Sequence, residues 1–122
     1  MSAVLSAPDS ASPLAAVTAA LEAAGAPFQE RRESAQQRQA VILANAELRE
    51  RELIKLSSLA SALADALRPR GVKDPAATLS AEAGIAAFKV AFERWVNETN
   101  RRDLPQLICK SVDELKAGTT DQ

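Results

Sequence analysis

The sequence has no histidine and no tyrosine, a single cysteine and only four glycines. Without histidine there is no imidazole base, no Ser–His or Cys–His pair and no His-bearing zinc site. Cys109, standing alone, can form neither an internal disulfide nor a CxxC redox or metal pair. The glycines are scattered, which excludes a P-loop and a dinucleotide fingerprint. Neither sign of charge dominates: a formal net charge of −1 draws nothing onto a phosphate backbone. No apolar run approaches the ~20 residues of a membrane span. The opening Met1-Ser2-Ala3-Val4-Leu5 lacks the basic and apolar regions of a secretion signal. These absences predict a cytoplasmic protein with no membrane partner, no cofactor, no metal and no catalysis. Carboxylates such as Glu82 with Glu93, or Asp113 with Glu114, have nothing to distinguish them from surface charge.

What is present suits one domain of 122 residues. An apolar share of 47% is too high for wholesale disorder, and with aromatics at 3% it is carried by alanine and leucine. That composition, poor in glycine, predicts an all-α helical bundle.

Residues 1–11 read as a flexible leader, 12–118 as the helical domain and 119–122 as a disordered tail. Ser12-Pro13 is a helix start: a side-chain oxygen for orphan amides, then a residue that needs no N–H donor. Leu14, Val17 and Leu21 recur at helical spacing until Gly25 and Pro27. A second helix is predicted from near Phe28 to Ala44, polar at its start and apolar at Val41-Ile42-Leu43. Asn45 caps the third, where Leu53, Leu56, Ala60, Leu63 and Leu67 form a stripe that Pro69 and Gly71 terminate. Asp74-Pro75 repeats the cap-plus-proline start for a fourth helix running to about Asn100. Asp103 with Gln106 makes a capping box for the last, whose apolar face is Leu104, Leu107, Ile108, Val112 and Leu115.

The fourth helix carries apolar residues on more than one side. Phe88, Ala91, Phe92 and Trp95 share a face, while Leu79, Ala83, Ile85, Ala86 and Val90 spread round the cylinder. Such a helix needs cover on more than one side. Gly84, costly in mid-helix by about 1 kcal/mol against alanine, points to close approach by another helix. A homodimer is expected, with Gly84, Phe92, Trp95, Leu107, Ile108, Val112 and Leu115 at its interface. The competing reading makes the fourth helix the central core helix of a monomer.

The stretch Arg38-Gln39-Ala40-Val41-Ile42-Leu43-Ala44-Asn45-Ala46-Glu47-Leu48-Arg49-Glu50-Arg51-Glu52 resembles the sixth-to-seventh helix junction of TetR-family transcriptional regulators. Ala66-Leu67-Arg68-Pro69-Arg70-Gly71-Val72 with Asp74-Pro75 is similar to the approach to their eighth helix, and Phe88, Ala91, Phe92, Trp95 and Val96 to that helix's aromatic tail. Asp103-Leu104-Pro105-Gln106-Leu107-Ile108 and Asp113-Glu114-Leu115 resemble the final helix. The resemblance covers about residues 12–118. It implies the C-terminal regulatory domain, which in the family binds an effector and dimerises through its last two helices. The family's helix-turn-helix and most of its fourth helix are missing from the pattern, so DNA would be met only through a domain absent from this chain.

Phe28, Ala35 and Ile42 share a face of the second helix, flanked by Arg38 and Gln39. Set against Leu56, Leu59 and Leu63 and against Phe88, they line an apolar cavity in one reading, while each taken singly reads more simply as plain core. The expected ligand is a lipophilic effector such as an acyl thioester, held by Arg38, Ile42, Leu59, Leu63 and Phe88. Arg31, Arg32 and Arg38 offer guanidinium forks to an anion, although Glu30 and Glu33 are interleaved as on a solvated face. Cys109 lies beside the last helix's stripe and reads as an inert small residue. The competing function is a helical dimerisation module with no small-molecule ligand.

Overall fold

The computed structural model describes residues 11–25, 32–97 and 103–119. Among them run α1 (Pro13–Gly25), α2 (Arg32–Ala44), α3 (Ala46–Leu67), α4 (Ala76–Asn97) and α5 (Leu104–Thr119), with a 3₁₀ turn over Arg68–Arg70 and no strand. The expected leader up to residue 10, Phe28 and the chain beyond residue 119 lie outside the described residues.

Local chemistry sets the helix starts. The Ser12 hydroxyl oxygen accepts the Ala15 N–H at 3.1 Å. Asn45, in an extended conformation, accepts from the amides of Glu47 at 3.0 Å and Leu48 at 3.3 Å. The capping box closes both ways: the Gln106 N–H donates to Asp103 Oδ1 at 2.8 Å and the Asp103 N–H to Gln106 Oε1 at 3.2 Å. Asp74 acts from one position further out than a standard cap, because α4 opens at Ala76. Its carboxylate accepts the Thr78 hydroxyl at 3.0 Å and faces Arg68, which also pairs with Asp65. The Thr78 hydrogen bond, followed by the Arg68 guanidinium, holds the Asp74 carboxyl below the usual aspartate range. Gly71 ends the 3₁₀ turn at φ 87°, a left-handed conformation open to glycine without penalty, and its N–H reaches Arg68 O at 2.9 Å.

The long α4 is the central helix. It packs on α1, α2, α3 and α5, and α1 packs on α5 as well. Val17 and Leu21 of α1, Leu63 and Leu67 of α3, Trp95 of α4, and Leu104, Leu107 and Ile108 of α5 are fully buried. The buried side of α4 is mostly small, with Ala77, Ala81, Gly84, Ala87 and Ala91. Small residues let several neighbours come close to one helix.

Gly84 shows this most sharply. A Cβ built there would collide with Val17 Cγ1 and touch Leu21 Cδ1 at 3.4 Å. Close approach is present, but the approaching helix is α1 of the same chain rather than a second copy. Trp95, Leu107, Ile108 and Val112 are likewise covered by their own chain, at 1%, 1%, 0% and 3% exposure. The surplus apolar surface that suggested a dimer at these positions is consumed inside the bundle. Leu115 is half-buried near the end of α5. On the opposite side of α4, Leu79 and Val90 remain 64% and 44% exposed, with Ala83 and Ala86 between them at helical spacing. Arg94 clasps Glu114 of α5 through two hydrogen bonds of 3.1 and 2.7 Å.

Candidate ligand-binding groove

Among the described side chains of α2 only Ile42 is buried, with Ala35 and Gln39 half-buried. Two polar ties supplement this thin contact. Gln36 Nε2 donates to Val96 O at 2.6 Å, satisfying one of the carbonyls that the last turn of α4 leaves without a helical partner. Arg38 Nη2 donates to Glu52 Oε1 at 2.6 Å and ties α2 to α3. Asn45 is the single residue between α2 and α3, so both helices leave one corner, and α4 packs against both.

The space they bound is a groove of about 570 Å³. Ala35, Ile42 and Leu43 of α2, Leu53 and Leu56 of α3, and Phe88 and Phe92 of α4 give it apolar walls. The two phenylalanine rings lie 6.1 Å apart between centroids, and Phe92 is 5.7 Å from Trp95, which roots the row in the core. Leu43 and Leu53, each more than half exposed, stand at the mouth. Arg38, Arg49 and Lys89 face Glu52 and Glu93 around the groove. Arg49 and Lys89 carry no ion pair among the described residues. The one lining hydroxyl, Ser34, has no imidazole in the sequence to activate it. This lining is suited to holding a molecule through apolar contact and charge.

Of the residues expected around a cavity, Arg38, Ile42 and Phe88 come together here. Leu63 is fully buried in the core and Leu59 packs half-buried against that core, and neither lines the groove. The reason lies in how α3 is divided. Its C-terminal half is packed away through Ala60, Leu63, Ala64 and Leu67, whereas Leu53 and Leu56 of its N-terminal half stay at the groove. Phe92, expected at a dimer interface, lines the groove instead. Arg49, Leu53, Lys89 and Glu93 were not singled out as lining residues, although their spacing carries a signal. Arg49 and Leu53 precede Leu56 at helical intervals, and Lys89 and Glu93 each follow a groove phenylalanine. Arg31 lies outside the described residues.

Residues 11–120 match the MftR C-terminal domain family, a TetR-type C-terminal domain. The chain belongs to this family. No curated protein matches it. The match spans all five helices, including both walls and the floor of the groove, and makes the chain a regulatory domain of a TetR-like regulator. No described helix of this TetR-type domain is long and apolar enough to cross a membrane.

Proposed function

We propose that the chain is the effector-binding and dimerising domain of a TetR-like transcriptional repressor that works in the cytoplasm and meets DNA through a helix-turn-helix outside this chain. The observation that carries the reading is the groove of about 570 Å³, apolar in its walls and charged at its rim. Its size falls within the usual range for small-molecule sites. A regulatory domain needs a site whose occupancy can alter the packing of the bundle, and this one borders α2, the helix with the thinnest apolar anchoring. The effector class is a lipophilic molecule such as an acyl thioester or a fatty acid, lying against Ile42, Leu56, Phe88 and Phe92 with Arg38 at its polar end.

A thermal-shift panel of acyl-coenzyme A thioesters and free fatty acids tests the effector. Ligand at ~100 times its dissociation constant adds about 2.7 kcal/mol to the folded state. A melting point raised by several degrees by some panel members and not others is the expected result. A flat panel at saturating concentration favours a dimerisation module without a small-molecule ligand. For assembly, the row of exposed Leu79, Ala86 and Val90 with half-buried Ala83 supports a symmetric contact between α4 helices of two copies.

A further inference from the structure

A second, smaller cavity of about 350 Å³ lies beside the groove, and the two share Arg38, Ile42 and Glu52 in their linings. The Arg38–Glu52 ion pair therefore stands as a partition between them. Beyond it, the second cavity is lined by Arg51 and Lys55 with Val41 and Leu48. Glu52 Oε1 receives Arg38 Nη2 at 2.6 Å and Lys55 Nζ at 3.4 Å, so one carboxylate oxygen answers cations from both helices. Arg51 carries no ion pair among the described residues. Two cations thus meet one carboxylate beside an apolar groove, and Arg51 lines the same cavity as a third.

We propose that the second cavity is a head-group subsite for an amphiphile with an oxyanionic head, and that the Arg38–Glu52 pair is the gate the head opens by replacing the Glu52 carboxylate. The proposal rests on the reading of the groove as an effector site and specifies the chemistry of the ligand. The tail lies along Phe88, Phe92 and Leu56, crosses Ile42, and delivers its charged end to Arg38, Arg51 and Lys55. The exchange is of like for like, one oxyanion for another, so the cations lose no charge compensation. The pair yields because one side of it stands in water: Arg38 is 56% exposed against 29% for Glu52, and partly solvated pairs are weak. The incoming head gains two guanidinium forks and an ammonium in one cleft, an arrangement suited to carboxylate or phosphate.

Titration calorimetry on the full chain with dodecanoate, dodecyl phosphate and dodecanol tests this. An anionic head is expected to bind about tenfold tighter than the alcohol, the span of one charge-assisted hydrogen bond. The double variant Arg51→Gln/Lys55→Gln brings anion and alcohol to within about twofold, and Glu52→Gln widens their ratio by freeing Arg38. A lead of either anion that depends on Arg51 and Lys55 supports the subsite, and the ranking of carboxylate against phosphate names the head. A preference unchanged in the double variant, or no preference in the parent chain with the alcohol bound, overturns the subsite and leaves the groove reading standing. Failure of all three molecules to bind the parent chain removes the groove reading and the subsite together.

Discussion

At Gly84 two effects oppose each other, and their magnitudes decide the outcome. Alanine is the better helix former by about 1 kcal/mol. Against this, its methyl group would meet the stiff, fully buried Val17, and overpacking a filled core costs about 1–3 kcal/mol. Gly84→Ala is therefore expected to lower stability in urea denaturation, and Val17→Ala in the same chain to recover part of the loss. Additivity of the two substitutions would show that they do not meet. Asp74 gives a second prediction at this scale. Its folded-state pKa is depressed first by the Thr78 hydrogen bond, so the stabilisation is present above the ordinary aspartate range and is lost as pH falls through the folded value. Thr78→Val should weaken the protein at neutral pH, with the difference from the parent shrinking on acidification below pH ~4. Melting curves collected along a pH series measure that convergence.

Among the elements, α2 is the one poised to move. With Ile42 as its one fully packed described side chain, it gains little from apolar burial and relies on Gln36 and Arg38 for its seat. Local opening is cheapest where few apolar contacts are lost. Hydrogen exchange should therefore find the α2 amides less protected than those of α4, which is packed on four helices. Gln36→Ala should widen that gap, because it leaves the Val96 carbonyl without its side-chain donor, and ligand in the groove should narrow it. Equal protection of α2 and α4 would contradict this division of stability. The last helix depends more on its start: Asp103→Ala breaks the capping box and is expected to cost ~1 kcal/mol in thermal or chemical denaturation.

For the molecule as a whole, the proposed dimer rests on the outer row of α4. Leu79→Glu with Val90→Glu places charge on the exposed apolar row without touching the core, so the chain should stay folded and become monomeric in sedimentation. A parent chain that sediments as a monomer across micromolar concentrations would remove the dimer. DNA is a separate matter: a net charge of −1 gives no strong general attraction to phosphate, so no sequence-specific shift of duplex DNA is expected from this chain alone.

The helices, and the starts of α1, α3 and α5, were legible because the chemistry that makes them is local. Ser12, Asn45 and the Asp103–Gln106 box each reach amides or side chains within three residues, and the apolar stripes repeat within a turn. The family pattern was legible for the same reason, since it lies in the order of short segments. The allocation of apolar faces was decided by tertiary structure. Phe92 and Trp95 share a face of one helix, yet Phe92 lines the groove and Trp95 fills the core. Leu56 and Leu63 belong to one stripe of α3, and the same division separates them. Periodicity states which side of a helix avoids water. It cannot state how near the next helix comes along that side, and that distance separates a filled core from a groove.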